Sequence, residues 1–181
     1  MPVFIAMLRG INVSGQKLVK MDALRNLFEN RGFENVKTYI QSGNIVFHSN
    51  NPNQRDLEQI ISAGLKKQFG FDIPVTVLAV EELKKIALNN PFINDDSKDR
   101  SYLYVTFLSA EPEMALYEHI KNEQYQGEAF ELSGKAIYLY CPKGYGTTRL
   151  SNTFLEKKLK VAATTRNWKT VNALMELAAA G

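Results

Sequence analysis

Two short stretches constrain the fold more than any other: "VFIAML" at 3–8 and "SYLYVTFL" at 101–108. Each alternates with the period of a strand, yet both alternating sets are apolar. Val3, Ile5 and Met7 stand opposite Phe4, Ala6 and Leu8, and Leu103, Val105 and Phe107 stand opposite Tyr102, Tyr104 and Leu108. Strands apolar on both sides are covered on both sides. A sheet with helices on one face only is therefore expected to have its open face hidden, by the other half of the chain or by a second subunit.

The segments around these strands repeat one order. After "VFIAML", Met21, Leu24, Leu27 and Phe28 share a helical face that closes at Gly32. "NVKTYI" and "NIVFHS" are strands joined through "QSG". Leu57, Ile60, Ile61 and Leu65 mark a second helix ending at Phe69–Gly70, and "IPVTVLA" is a fourth strand. The order βαββαβ is the ferredoxin-like unit. After a bridging helix, "VEELKKIALNN", it recurs: "SYLYVTFL", a helix behind Pro112 with Met114, Tyr117 and Ile120, the strands "EAFEL" and "AIYLYC" around Ser133–Gly134, "FLEKKL" behind a Thr153/Glu156 capping-box pattern, "VAATT", and a closing helix with Val171, Leu174, Met175 and Ala178. The reading is α+β, a tandem duplication of two ferredoxin-like units with antiparallel sheets. The first half is 1–80 and the second, with the bridging and C-terminal helices, is 81–181.

Composition narrows the function classes. The 181 residues are 45% hydrophobic and 23% charged, ordinary for a globular protein. Cys141 is the only cysteine, so no internal disulfide forms, and its place in an apolar run suits a small buried hydrophobe. The apolar run Val3–Leu8 is far too short for a membrane span and lacks a preceding charge, so a cytoplasmic protein without a membrane partner is expected. The net charge of +3 is unevenly spread. Residues 1–80 carry nine Lys/Arg against six Asp/Glu, residues 81–131 five against eleven, and residues 132–181 eight against two. Basic ends flank an acidic middle.

Four stretches carry candidate chemistry. "LRGINVSGQK" begins like a phosphate-cradling P-loop, but Gln16 stands where the lysine is required and Lys17 comes one residue late. P-loop nucleotide hydrolysis is rejected, leaving a glycine-containing loop with Arg9, Asn12, Ser14 and Lys17 ahead of a helix. In "TYIQSGN", with Ile40 directed to the helices, Tyr39 and Gln41 take the other face, Asn44 returns on it, and Ser42 and Asn44 are also favoured turn residues. "CPKGYGTTRLSN" is a Gly/Thr-rich loop carrying Lys143 and Arg149, a composition able to wrap an anion through main-chain amides. "ATTRNWKTV" holds the only tryptophan, Trp168, with Arg166, Asn167 and Lys169; Asn167 or Thr165 is suited to capping the last helix, and cations there oppose the helix dipole unless an anion is brought to them. His48 is the better placed of two histidines, but no second ligand stands at metal-binding spacing, so neither a metal nor a cofactor is expected.

With "LRGINVSG", "TYIQSGN", "NPF" at 90–92 and "LSN…LE…ATTRNWKTV" assembled, the chain resembles an uncharacterised bacterial family, domain of unknown function 1697, over essentially its full length. The resemblance implies two ferredoxin-like halves and no known activity. Arg9, Asn12, Gln41, Ser42, Asn44, Arg166, Asn167 and Trp168 belong to the family pattern; Ser14 departs from it, where a second glycine is common.

The reading these features favour is a binding protein for an anionic, phosphate-bearing ligand, a nucleotide or nucleic acid, in a basic cleft formed by Arg9, Asn12, Lys17, Gln41, Ser42, Asn44, Arg149, Arg166, Asn167 and Trp168. The alternatives are a metal-independent enzyme acting on a small molecule, with His48 its only near-neutral base, and a homo-oligomeric interaction module, with a homodimer the simplest case.

Overall fold

A computed structural model describes residues 1–181. Eight strands and six helices follow one another as β1 (Val3–Leu8), α1 (Met21–Asn30), β2 (Glu34–Tyr39), β3 (Asn44–His48), α2 (Gln54–Phe69), β4 (Val75–Ala79), α3 (Val80–Leu88), β5 (Leu103–Leu108), α4 (Met114–Lys121), β6 (Ala129–Ser133), β7 (Ala136–Tyr140), α5 (Asn152–Leu159), β8 (Ala163–Asn167) and α6 (Trp168–Ala179). The strands form two antiparallel sheets, ordered β2-β3-β1-β4 and β6-β7-β5-β8. This is the tandem ferredoxin-like architecture. Two compact units emerge, Met1–Lys85 with Asn172–Gly181, and Ile86–Val171. The chain leaves the first unit along α3 and re-enters it along α6.

In the first unit β1 is the inner strand, paired with β3 from Val3↔His48 to Met7↔Asn44 and with β4 from Phe4↔Ala79 to Leu8↔Val75. Phe4, Ala6 and Leu8 join Ile45 and Phe47 of β3, Leu24, Leu27 and Phe28 of α1, and Leu57, Ile61 and Leu65 of α2 in one core. Phe47 is its hub, with ring centroids 4.8 Å from Phe33, 5.3 Å from Phe28 and 5.8 Å from Phe4. On the opposite face of β1, Ile5 and Met7 are equally inaccessible. Asn53 caps α2 by accepting from the Asp56 N–H at 3.2 Å. Midway along α2 stands Gly64, where a Cβ would lie 3.0 Å from the Arg31 guanidinium and 3.3 Å from Leu27. Its missing side chain lets α2 approach α1.

The second unit repeats the scheme with different packing. Leu108, Ile120, Ile137, Leu139, Leu150, Leu155 and Leu159 form its core with Cys141. A polar ladder crosses it: Thr165 Oγ1 lies 2.7 Å from Thr106 Oγ1 and donates to Asn152 Oδ1 at 2.6 Å, joining β5, β8 and α5. Two local expectations are corrected. No Thr153/Glu156 capping box forms, because α5 starts earlier, where Ser151 Oγ accepts from the Phe154 N–H at 3.2 Å; Glu156 instead accepts from the Ala163 N–H at 3.1 Å. Ile40 does not point to the helices. It lies outside β2, at φ 49°, and its side chain is exposed.

Gly43, the last residue before β3, has φ 85°, and its carbonyl accepts from the Leu8 N–H at 2.8 Å. A Cβ there would sit 2.8 Å from both Leu8 Cβ and Ile11 Cδ1. Gly43→Ala therefore combines left-handed strain with overpacking, and a loss of about 2–4 kcal/mol is expected, read as a lower urea midpoint at unchanged slope.

Candidate functional site

The loop 9–20 between β1 and α1 has an unusual backbone. Gly10, Asn12, Ser14, Gly15 and Lys17 all have positive φ, from 47° to 76°. Across the whole chain six non-glycine residues do so, and four of them, Asn12, Ser14, Lys17 and Ile40, lie in this loop or in the β2–β3 turn at 40–43. Left-handed placement of an L-residue costs roughly 1–2 kcal/mol, and for β-branched Ile40 it is a true outlier.

The side chain of Asn12 holds this arrangement. Its Oδ1 accepts from the Val19 N–H at 2.8 Å, and its Nδ2 donates to the Val19 carbonyl at 2.9 Å and to the Gln41 carbonyl at 2.8 Å. The Asn12 N–H donates to the Lys17 carbonyl at 3.1 Å, closing the loop on itself. The turn is pinned from below by buried Asn44, whose Nδ2 donates to the Tyr39 carbonyl at 3.0 Å and to Ser42 Oγ at 2.8 Å. Thus Asn12, Gln41, Ser42 and Asn44, four of the residues expected at the site, are brought to one place.

Between loop and turn lies a hollow of about 420 Å³ lined by Asn12, Leu18, Val19, Lys20, Met21, Asp22 and Gln41. It opens at the N-terminus of α1, where Lys20 occupies the cap position with extended backbone and no side chain caps the first turn. The Gln41 side-chain amide makes no hydrogen bond, Lys20 makes no ion pair, and Lys17 Nζ reaches only the Asp72 carbonyl, at 3.3 Å. The nearby carboxylates are engaged, Asp22 by Arg25 and Asp72 by Lys66 at 3.0 Å. Arg9 is half-buried beside the loop, its backbone N–H donating to the Pro74 carbonyl at 3.1 Å.

The remaining expected residues lie in the second unit, at two other hollows and on one strand. Arg149 pairs with Glu123, donates to the Gln124 carbonyl at 3.2 Å, and stacks between the rings of Tyr125 at 5.0 Å and Phe154 at 5.4 Å. Together with Lys143, Glu128 and Thr147 it lines a hollow of about 500 Å³. Asn167 Oδ1 accepts from the Thr170 N–H at 2.8 Å, capping α6. Half-buried Trp168, the first residue of α6, shares a hollow of about 300 Å³ with Arg100, Ser101, Asn167 and Lys169. Arg166 is a strand residue of β8 opposite Val105, buried to 9% exposure; Nη1 donates to the Thr165 carbonyl at 3.1 Å, and burial lowers its pKa to about 10.

Leu18, Lys20 and the outward side chain of Ile40 were not among the expected site residues. Ile40 carried no signal, because in sequence it reads as the end of a strand.

These features define an α+β protein of two ferredoxin-like units whose first βα loop is elaborated into a strained, side-chain-clamped hollow. Residues 1–138 match the family described as "Protein of unknown function (DUF1697)", and the chain belongs to that family. Its fold is shared with the conserved bacterial protein SP0830 from Streptococcus pneumoniae, at a TM-score of 0.78 and 22% identity over 98% of each chain. No curated protein matches the sequence.

Two predictions follow from local chemistry. Asn12→Ala leaves the Val19 N–H and two carbonyls without their partner, so about 1–3 kcal/mol is lost, with faster hydrogen exchange at Val19 the direct readout. The Cys141 thiol, buried and donating to Thr148 Oγ1 at 3.5 Å, has its pKa pushed up to about 12 by burial. Alkylation of the native protein at mildly alkaline pH is therefore expected to be far slower than in denaturant.

Proposed function

We propose that the first unit binds a small anionic, phosphate-bearing ligand in the hollow between the loop 9–20 and the turn 40–43. The observation that carries this reading is the uncapped first turn of α1 opening onto that hollow. Helix-start N–H groups and the dipole's positive end favour an anion, by about 0.3–1 kcal/mol for the dipole alone. Lys20 at the cap position lines the hollow and adds a full charge. Lys17 adds to the positive field from the loop although its ammonium rests on the Asp72 carbonyl, and the Gln41 side chain adds an uncommitted amide donor. A tetrahedral phosphate offers acceptors in several directions at once, which suits donors arriving from a helix end, a lysine and an amide. None of the residues lining the hollow is aromatic, so it offers no base-stacking platform. This favours a phosphate ester over single-stranded nucleic acid.

The test is a titration with inorganic phosphate and a nucleoside monophosphate at low salt, followed by amide NMR. Shifts are expected at Met21, Asp22, Ala23 and Gln41. Replacing both Lys17 and Lys20 by Ala should weaken binding by about tenfold or more, since hydrogen bonds to charged groups contribute about 1.5–3 kcal/mol each. No shift at these amides at low salt would overturn the reading.

A further inference from the structure

The loop and turn that frame this hollow carry exposed apolar as well as basic side chains. Val13, Leu18 and Ile40 are 58%, 64% and 51% exposed. Single exposed apolar residues are ordinary. These three, however, stand on the two segments that Asn12 clamps together, with Lys17 between Val13 and Leu18 in the chain and Lys20 two residues after Leu18. Ile40 is the most telling. A left-handed turn position is best filled by Gly or Asn, and an outward apolar side chain there adds nothing to the core.

We infer that loop 9–20 and turn 40–43 form a peripheral docking surface for an anionic lipid bilayer, with Val13, Leu18 and Ile40 entering the headgroup–acyl boundary and Lys17 and Lys20 meeting lipid phosphates. This rests on the anion-binding reading of the same site and names its source of phosphate. Apolar tips with interleaved cations are the arrangement that partitions into a charged interface, the lysine stems lying along apolar surface while their heads stay in water. Three side chains cannot approach the ~800 Å² per partner of a standard protein interface, whereas shallow insertion has no such threshold. Asp22, which lines the hollow, is paired with Arg25, and Asp72, whose carbonyl accepts from Lys17, is paired with Lys66, which lessens their opposition to an anionic surface. The expectation of no membrane partner rests on the lack of a spanning segment; no helix is long and apolar enough to cross a membrane, and shallow docking requires none.

The full chain is sedimented with vesicles of phosphatidylcholine containing one-third phosphatidylglycerol, and with phosphatidylcholine alone, at low and high salt. Binding to the anionic vesicles alone, weakened by salt, is expected. Lys17→Ala and Lys20→Ala should each lower it by about fivefold. Leu18→Ser and Ile40→Gly should lower it several-fold, and Ile40→Gly should also show a urea midpoint at least as high as the parent, so that its lost binding is not lost folding. Failure to pellet with anionic vesicles, equal pelleting with both vesicle types, or undiminished pelleting of the Leu18 and Ile40 variants overturns the inference. The inorganic phosphate titration separates the two claims. Amide shifts at Met21–Ala23 without vesicle binding overturn the lipid source alone, and absence of both overturns the site.

Discussion

Strand β1 is paired along both edges and inaccessible on both faces, and the candidate site depends on that fixity. β3 and β4 hold its register from Phe4 onward, while Phe4, Ala6 and Leu8 are locked against α1 and α2. Its C-terminal end is consequently a well-anchored platform. Leu8 donates to Gly43 and Arg9 to Pro74, so the start of the loop is tied to the β2–β3 turn on one side and to the approach to β4 on the other. Function built on a loop needs such anchoring, because a site loosened by an ångström loses its donors' convergence.

From that platform the chain enters a conformation that local preference opposes. Asn12, Ser14, Lys17 and Ile40 together store several kcal/mol of left-handed strain, at roughly 1–2 kcal/mol each. Three hydrogen bonds from one Asn12 side chain, each worth about 1 kcal/mol net, offset part of it. Strain of this kind persists where surrounding structure over-determines it, and it concentrates at ligand clamps and switches. The loop is thus held open at a conformational cost borne by the rest of the unit, and what it holds open is the uncapped end of α1.

Much of the fold was legible because binary patterns and punctuation agreed. The apolar doublet of "VFIAML", the spacing of Leu24, Leu27 and Phe28, and Gly70 after Phe69 each specify one local outcome, and β1, α1 and the end of α2 match them. The site was legible only in part. Polar residues clustered in "LRGINVSG" and "TYIQSGN" named Asn12, Gln41, Ser42 and Asn44. Whether a polar side chain is a ligand or a clamp depends on partners distant in sequence: Asn12 is spent on Val19 and Gln41, and Asn167 on the cap of α6. Arg149 looked available, but its partners Glu123 and Tyr125 come from another element and leave no periodic trace. Ile40 shows the reverse failure. An isoleucine after "TY" reads as strand interior, and only its backbone dihedral reveals that it stands outside.

The second unit serves as an internal control on whether the elaborated loop is a requirement of the fold. It builds the same sheet order with the same strand-to-helix step, yet β5 passes to α4 through residues 109–113 alone, and β6 turns to β7 through Gly134 and Lys135. In the first unit the corresponding connections are residues 9–20 and 40–43. A ferredoxin-like unit therefore closes with the short versions, and the additional residues are those carrying left-handed backbone, Asn12's clamp, the exposed apolar tips and the free lysine. Loop entropy rises only slowly with length, so an insertion of this size is tolerated by stability alone. Tolerance does not explain why the insertion is strained and clamped by Asn12. Selection for a surface of defined shape would, which favours the first βα loop, and not the duplicated scaffold beneath it, as the place of the proposed site.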